Sequence, residues 1–467
     1  MSLREKISGL AALRPAKGRG AAAKVTSAEA ASSDAAAVRR GFSPSLPHGA
    51  EALAARLEGK ALVNSFGEHL SVRKWFSEAI GFAAPEGEVN ADALRLLAPD
   101  GASEMADPSQ WLFLDTETTG LMGGTGTYPF MVGIAWWDAG GLEVEQFFMR
   151  DYHEEHALLV TLAERLAERR VLVTFNGKSF DWPLLETRYK MTRKIPAPTL
   201  RGHLDFLHPA RNLWRIRLGS VRLAELEKHV LGWDRGADLI SAMIPQFYFD
   251  YLRGGSPEPL VQIFLHNQMD LRGLAGLASR ILSILAAPEA AEQDGLELFG
   301  VSRICERRGE MARARKHYAE SIAAELPPET DRVARRSLAR LAKRDGDFPL
   351  ALELWESIRG NSREGLEAYE QLAMHYERRG GDTDRATVLV REALAELRKT
   401  NRAGLISAAV HRQYRERFER RLARLGRAAG PADGSRQALL ETMEAESRGA
   451  EMESNGKRRR SSYAESG

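Results

Sequence analysis

The sequence predicts an α/β layer fold followed by an all-helical, repeat-like domain, and three observations support this. Short aromatic and β-branched segments between glycine-rich turns indicate strands near residues 111–148 and 171–175. Segments with apolar residues at helical spacing follow them, and strands that alternate with helices form α/β structures. Beyond about residue 290 the strand pattern ends and a helical repeat begins. At roughly 100 to 200 residues per domain, the 467 residues leave room for two or three domains.

The composition is that of a globular protein with no membrane segment. Hydrophobic residues make up 43% and charged residues 28% of the chain, which excludes a wholly disordered or fibrous protein. No segment approaches the roughly 20 apolar residues of a membrane span, and no sustained apolar core follows the first basic residues. The single cysteine, Cys305, cannot form an intramolecular disulfide and is expected to be a small buried side chain. These features favour a cytoplasmic location.

Two segments precede the first strongly predicted strand. Residues 1–48 are mainly Ala, Ser, Lys and Arg, with too few large side chains to offset the entropy of ordering, so a disordered tail is expected. Residues 49–108 contain an Ala- and Leu-rich helical stretch, a short strand at 61–66, and Gly-, Pro- and Asp-rich connections. We expect this lead-in segment to pack on the domain that follows.

The α/β domain is expected over residues 109–288. Three successive strands are predicted at 111–114, 130–137 and 144–148. Leucines at helical spacing then predict a helix over 154–170, an apolar strand at 171–175 follows, and a long helix is predicted over 260–285.

A repeat marks residues 289–427. Three glycines each stand five residues before an alanine: Gly309 before Ala314, Gly346 before Ala351, and Gly381 before Ala386. Their spacing is close to the period of about 34 residues typical of tetratricopeptide repeats, in which small residues let paired helices approach closely. An irregular helical bundle is the alternative. Residues 428–467 are polar, contain the basic run 457–460, and are expected to form a disordered tail.

The strongest chemical signal is a pair of acidic residues at the end of a predicted strand. Asp115 and Glu117 are two residues apart, so on a strand they project from the same side. Two adjacent carboxylates repel each other unless a cation neutralises them, and oxygen ligands suit Mg²⁺ or Mn²⁺. An exposed acidic turn would explain the pair equally well when it is taken alone.

Two further motifs carry acidic groups. Asp181 lies before Pro183 at an expected helix start, where it is either a helix cap or a metal ligand. His266 and Asp270 are four residues apart on the predicted long helix, so they share one face. Such a pair is more often an exposed one, but three acidic motifs in one block could converge on a single site.

Basic residues are concentrated between Thr187 and Ala224, where Asp205 is the only acidic residue. This one-sided cluster favours a polyanionic partner over an ordinary solvated face, and nucleic acid is the simplest such partner. Trp214 lies among the basic residues and is a candidate for base stacking. The candidate nucleic-acid contacts are Arg188, Lys190, Arg193, Lys194, Arg211, Trp214, Arg215 and Arg217.

Taken together, the motifs resemble the DEDD exonuclease superfamily, which has a ribonuclease-H-like fold. The motifs are Asp115-x-Glu117, Asn176-Gly-x-x-Phe-Asp181 and His266-Asn-x-x-Asp270. Segments 205–214, 223–227 and 244–248 are similar in particular to YprB-type predicted exonucleases, which often carry tetratricopeptide-like helices after the nuclease domain. The resemblance covers roughly residues 60–285 and implies a mixed sheet flanked by helices.

The resemblance also implies roles for single residues. Asp115, Glu117, Asp181 and Asp270 match the four metal-binding carboxylates, and His266 matches the general base. The four-residue spacing between His266 and Asp270 is a departure, because it is typical of the superfamily's tyrosine branch, whereas the histidine branch usually has five. Asp205 lies in a family-like segment, but a structural or capping role is expected for it.

The function implied is metal-dependent 3′-to-5′ exonuclease activity on single-stranded DNA or RNA. Two Mg²⁺ or Mn²⁺ ions, about 3.5 to 4 Å apart, would clamp the attacking and leaving oxygens. The helical repeats would then bind a protein partner or guide the substrate. The first alternative is a catalytically silent nucleic-acid-binding scaffold that assembles partners through these repeats. The second is a structure-selective endonuclease on the same fold.

Overall fold

The computed structural model describes residues 49–120, 126–236, 239–287, 294–360 and 362–428. The disorder predictions for residues 1–48 and 429–467 lie outside these described residues. Within them, the chain forms a mixed β-sheet with flanking helices and then an all-helical region, as the sequence predicted.

Seven strands form one sheet in the order β1-β2-β5-β4-β3-β6-β7. The pairs β1–β2, β2–β5, β5–β4 and β4–β3 are antiparallel, whereas the β3–β6 and β6–β7 pairs are parallel. The strands are β1 (Lys60–Asn64), β2 (Gly67–Phe76), β3 (Trp111–Thr118), β4 (Pro129–Asp138), β5 (Gly141–Phe148), β6 (Val171–Thr174) and β7 (Gly202–Asp205).

Eight helices precede or flank the sheet, and seven more follow it in the described part of the chain. The first group is α1 (Ala50–Arg56), α2 (Ala91–Leu97), α3 (Glu155–Glu168), α4 (Asp181–Thr192), α5 (Leu207–Leu218), α6 (Leu223–Val230), α7 (Ile244–Leu252) and α8 (Glu258–Ala286). The second group is α9 (Gly295–Arg308), α10 (Met311–Ala323), α11 (Pro328–Arg344), α12 (Phe348–Ile358), α13 (Arg363–Arg378), α14 (Thr383–Arg402) and α15 (Ala408–Ala428).

Strand β3 shows how the alternation of side chains divides the core. Leu112 and Leu114 face one side and pack in a cluster with the leucines of α3. Phe113 faces the other side, in a cluster that includes Leu271 of α8. Because β3 is buried on both sides, all four residues from Trp111 to Leu114 are apolar.

The elements predicted around the site are confirmed, but two strands, β2 and the four-residue β7, were missed. The predicted strands at 111–114, 130–137, 144–148 and 171–175 correspond to β3, β4, β5 and β6, and the two predicted helices to α3 and α8. The lead-in segment was expected only to pack on the domain, yet β1 and β2 extend the sheet itself. Strand β2 lies where only connections were predicted. It contains charged residues such as Arg73 and Lys74, and its partner β5 lies about 70 residues further along the chain, so no local pattern indicates it.

The glycines and alanines of the predicted repeat occupy equivalent positions. Gly309, Gly346 and Gly381 all have positive φ and connect α9 to α10, α11 to α12, and α13 to α14. Ala314, Ala351 and Ala386 are fully buried. The helical region therefore consists of three similarly built helix pairs and a final helix, whereas its tetratricopeptide identity stays a prediction.

The helical region is joined to the α/β domain through α5 and α9. The buried indole of Trp214 on α5 donates a hydrogen bond to Glu297 on α9, with an N–O distance of 2.7 Å. The helices approach so closely at Gly300 that a Cβ atom there would lie 2.6 Å from the carbonyl oxygen of Asn212. Cys305 is buried in the same region, and burial raises its pKa to about 11, as expected for an inert thiol.

No helix among the described residues is both long enough and apolar enough to span a membrane.

A buried histidine on β2 predicts that acid will destabilise this fold. His69 is fully buried beside Phe147, and within the described residues neither of its ring nitrogens has a hydrogen-bond partner. Burial, reinforced by the charge of Arg150, lowers the pKa of His69 to about 4. His69 is therefore protonated near pH 6.5 in the unfolded chain but only near pH 4 in the folded chain. Stability is fully present above pH 6.5 and falls as the pH drops towards 4, by on the order of 3 kcal/mol for this group.

Urea unfolding of the wild type and of His69→Gln between pH 7 and 4 measures this loss. The variant is expected to show a smaller decline with acid than the wild type. His411→Gln, on the last helix, is the control and should decline like the wild type. Parallel curves for wild type and His69→Gln would show that another group causes the acid sensitivity.

Candidate active site

Two parallel strands bring the first two acidic motifs to one edge of the sheet. Asp115 and Glu117 lie at the carboxyl end of β3, and β6 is its parallel neighbour. The loop that follows β6 leads to Asp181, the first residue of α4. Parallel strands end at the same edge, so Asp181 lies beside the β3 pair. The hydroxyl of Thr116 donates a hydrogen bond to the Asp181 carboxylate.

The third motif reaches the same place from α8. Asp115 and Glu117 share the side of β3 on which Phe113 packs near α8. The Nε2 atom of His266 lies 4.0 Å from Oε1 of Glu117 and 3.5 Å from Oδ2 of Asp270. One donor atom from each of these three residues lies within 4.8 Å of the other two, an arrangement that could hold a metal ion.

The electrostatics show that all four carboxylates converge. Burial raises the pKa of Asp115 well above its usual range, and the charges of Asp270, Asp181 and Glu117 raise it further. Burial also raises the pKa of Asp181, against the lowering effect of its hydrogen bond from Thr116. The structure thus brings together the five residues that the sequence singled out for catalysis.

The donor set fits a divalent cation. Four carboxylates provide hard oxygen ligands of the kind that Mg²⁺ and Mn²⁺ prefer, and one imidazole accompanies them. Without a cation, burial disfavours the ionised forms of Asp115 and Asp181 and raises the pKa of both. The charges of the other three carboxylates add to this shift at Asp115, and the charge of Asp205 adds to it at Asp181.

Asn267 belongs to this site, although the sequence did not single it out. Its side-chain amide donates to Oδ2 of Asp115 at 2.9 Å, and its own Oδ1 accepts from Nε2 of Gln146 at 2.8 Å. Gly133, which pairs with Asp115 across the sheet, makes room for it, since a Cβ atom there would lie 2.0 Å from Oδ1 of Asn267. Its position directly after His266 was the only signal in the sequence.

Arg235 is a second contributor that the sequence did not reveal. Its guanidinium hydrogen-bonds both to Glu227 of α6 and to Asp270. The side chain of Glu227 is fully buried and that of Arg235 is 4% exposed. Gly273 of α8 allows this close packing, because any side chain there would collide with the Glu227 carboxylate. Arg235 therefore fixes the orientation of Asp270 and partly balances its charge.

Asp205 has the structural role that was expected. One carboxylate oxygen accepts from the backbone N–H groups of Asn176 and Leu207, and the other from that of Lys178. These bonds fix the start of α5 and hold the loop that leads to Asp181, a loop in which Asn176 has positive φ.

Two predicted nucleic-acid contacts are wrong. Trp214 is completely buried and bonded to Glu297, so it cannot stack on a base. Arg188 is buried, pairs with both oxygens of Glu155, and lies over the ring of Tyr128. The remaining candidates are exposed, although Arg217 forms an ion pair with Asp294 at 2.9 Å. These are Lys190, Arg193, Lys194, Arg211, Arg215 and Arg217.

Comparison with known proteins agrees with this fold. Residues 112–282 match the RNase_H_2 model of the RNase_H superfamily. Over these residues the chain is therefore similar to domains of the ribonuclease-H superfamily, as the motifs predicted.

The chain is also similar to one curated protein in particular. It is 29% identical over 318 residues to YprB of Bacillus subtilis (strain 168), named as an uncharacterized protein, and the match covers 68% of this chain and 74% of YprB. A solved family B DNA polymerase from the archaeon Pyrobaculum calidifontis matches 45% of this chain at 16% identity, with a TM-score of 0.32. The match spans 29% of that polymerase chain.

Removing Arg235 is predicted to destabilise the domain strongly. In Arg235→Ala the buried Glu227 carboxylate loses its partner, and leaving one charge of a buried pair uncompensated costs about 3 to 5 kcal/mol. Urea unfolding at pH 7 measures the change. The double variant Arg235→Met/Glu227→Gln should recover much of the loss, because the fully buried Glu227 side chain is then neutral. The loss that remains reports the pairing of Arg235 with the less buried Asp270. Lys228→Ala breaks the exposed pair with Asp234 and is the control. An equal loss in the Lys228 and Arg235 variants would contradict a special role for the buried pair.

Proposed function

We propose that this protein is a metal-dependent exonuclease that hydrolyses the phosphodiester bonds of single-stranded nucleic acid from the 3′ end. The observation that carries the proposal is the convergence of four carboxylates, at the edge of a ribonuclease-H-like sheet, around the half-buried Asp115. The polarity and the preference for single strands rest on the resemblance of the motifs to the DEDD superfamily.

The chain's own residues would divide the work as follows. Asp115, Glu117, Asp181 and Asp270 would hold two Mg²⁺ or Mn²⁺ ions. When bound, such ions polarise the phosphate and stabilise charge on the attacking and leaving oxygens. Asn267 would keep Oδ2 of Asp115 in place, and Arg235 would do the same for Asp270.

His266 is the proposed general base. Its imidazole is buried at the site, and Nε2 would accept a proton from the attacking water. The carboxylate of Asp270, 3.5 Å from Nε2, would stabilise the imidazolium that this transfer produces. The i, i+4 spacing on α8 places the two groups together, so the departure from the usual spacing of the histidine branch still allows this role.

A silent nucleic-acid-binding scaffold is the less favoured function. A surface that only binds phosphates gains nothing from four converging carboxylates, because these repel the polyanion unless cations are present. An acidic cluster in which every carboxylate of the DEDD pattern is retained therefore supports catalysis over binding alone.

Substitution of either of two carboxylates is predicted to abolish hydrolysis without unfolding the protein. Asp115→Ala and Asp181→Ala should each reduce the digestion of labelled single-stranded DNA and RNA by roughly 100-fold or more, a loss typical of removing one transition-state-stabilising group. Digestion by the wild type should require Mg²⁺ or Mn²⁺ and stop with EDTA. A substrate with a blocked 3′ end should resist, whereas cleavage of closed single-stranded circles would identify an endonuclease.

The matched control is Asp138→Ala, which removes an exposed carboxylate from the end of β4 in the same sheet. It should retain full activity, and circular dichroism should show that all three variants are folded. Wild-type activity in both Asp115→Ala and Asp181→Ala would mean that the site is elsewhere.

Metal binding gives a test that does not depend on finding the right substrate. Titration of the wild type with Mn²⁺ in a calorimeter should show binding, because the cation relieves the repulsion around Asp115. Asp115→Ala should bind at least about tenfold more weakly, since a metal-ligating carboxylate is removed. A wild type that binds no Mn²⁺ would favour the scaffold over the nuclease.

A further inference from the structure

A basic cavity lies between the α/β domain and the helical region, beside the proposed active site. Its volume is about 480 Å³. The loop before α4, the C-terminal end of α2, and helices α5 and α9 all contribute to its walls. The polar groups that line it are Lys178, Asp205, His208, Asn212, Arg307 and Arg308.

The side chains of this cavity carry an excess of positive charge. Three cations, Lys178, Arg307 and Arg308, face one carboxylate, Asp205. The Asp205 carboxylate is already engaged by three backbone N–H groups. In the described part of the chain, none of the three cations forms an ion pair with a carboxylate. Three cations against one carboxylate leave a net positive charge, which an anion placed here would meet.

The pKa values point the same way. Burial lowers the pKa of Arg307, and the neighbouring charges of Arg303 and Arg308 lower it further. Burial also lowers the pKa of Lys178, and the charge of Arg308 adds to this, against the raising effect of the Asp205 carboxylate. Cations that repel each other in this way are stabilised when an anion binds between them.

The cavity is built in advance. Arg308 donates from Nε to the carbonyl oxygen of Leu96 at 2.8 Å and from Nη2 to that of Leu97 at 2.7 Å, so it closes the end of α2. On the opposite wall, α5 and α9 are held together by the Trp214–Glu297 hydrogen bond and the close approach at Gly300. Little ordering entropy would be lost when a ligand enters.

A purely structural explanation covers only part of this arrangement. Arg307 and Arg308 lie in the last turn of α9, where basic residues interact favourably with the helix dipole, and Arg308 also closes α2. Neither reason accounts for Lys178, which comes from the loop of another domain. The cavity also adjoins the site, because Lys178 precedes Asp181 by three residues and the charge of Asp205 is felt at Asp181.

We infer that this cavity binds a backbone phosphate of the nucleic-acid strand that the active site cleaves, so that the helical region contributes directly to substrate binding. The inference rests on the proposed function. Lys178 and Arg307 supply the free charge, and Arg308 and Asn212 complete the wall. The cavity would thus position the strand, whereas the carboxylates at the sheet edge would cleave it.

The test measures the binding of a fluorescent single-stranded oligonucleotide, as DNA and as RNA, to full-length protein. All proteins carry Asp115→Asn, so that the strand survives the measurement. The double substitution Lys178→Gln/Arg307→Gln is expected to weaken binding about tenfold at low salt. The slope of log affinity against log salt should fall by roughly 0.7 for each phosphate that the variant no longer binds. Arg391→Gln, on the exposed surface of α14, is the charge control and should bind like the parent.

A second series locates the phosphate. Oligonucleotides that each carry one neutral methylphosphonate are compared between the parent and the double variant. One position is expected to weaken binding to the parent and to have no further effect on the variant, because the variant does not bind the phosphate at that position. Thermal unfolding confirms that the variant is folded, and inorganic phosphate is titrated in the same assay.

The outcomes separate the inference from the proposed function. Binding by the double variant that equals the Arg391→Gln control overturns the cavity's role, while metal-dependent digestion by the wild type can still stand. A different outcome is that inorganic phosphate raises the unfolding temperature of the parent while the double substitution leaves oligonucleotide binding unchanged. That result shows a site for a free phosphate or mononucleotide and overturns the strand contact. A wild type that neither binds nor digests any oligonucleotide removes the proposed function and this inference together.

Discussion

Repulsion among converging carboxylates is the constraint around which this domain is arranged. Asp115 lies where burial and three other acidic groups all disfavour its charge, and that cost rises as the site is better shielded from water. Folding brings these groups together regardless, because their backbones belong to β3, α4 and α8, whose apolar faces pack in the cores on either side of the sheet. The energy of packing thus holds an arrangement that electrostatics alone would break apart.

Neutral donors and one cation inside the protein reduce this repulsion but do not cancel it. Asn267 hydrogen-bonds to Asp115, Thr116 to Asp181, and the guanidinium of Arg235 to Asp270. Arg235 also serves Glu227, so one positive charge is shared between two carboxylates. The summed formal charge of the four site carboxylates, Glu227 and Arg235 stays strongly negative when all of these groups are ionised. Protonation or a divalent cation would balance the rest, and the cation does so without giving up the charge of the carboxylates, which is why the donor set fits a metal.

Local spacing in the sequence was enough to predict which site residues come together when both lie on the same strand or helix. The two-residue spacing of Asp115 and Glu117 on a buried strand, and the four-residue spacing of His266 and Asp270 on a long helix, fix which side chains share a face. Arg235 could not be found in this way, because its partners Glu227 and Asp270 come from two different helices and only the fold brings them together. The predicted basic surface failed at Arg188 and Trp214 for the same reason, since composition counts charges and rings without showing which way they face.

The burial of Trp214 changes the view of the helical region. As a surface aromatic it would have been one stacking platform, but at the junction of α5 and α9 its indole and the buried Glu297 form a polar contact in an apolar interface. Glu297 also lies 3.7 Å from Arg217 and 4.0 Å from Arg280, so breaking the Trp214 bond leaves mainly the buried indole N–H unsatisfied. The cost of exposing that group makes the junction resist opening. A helical array attached flexibly could recruit partners but could not shape a wall beside the cleavage site. The close approach at Gly300 and the Arg308 bonds to the end of α2 favour a fixed wall, and the proposed contribution of the helical region to substrate binding depends on this rigidity.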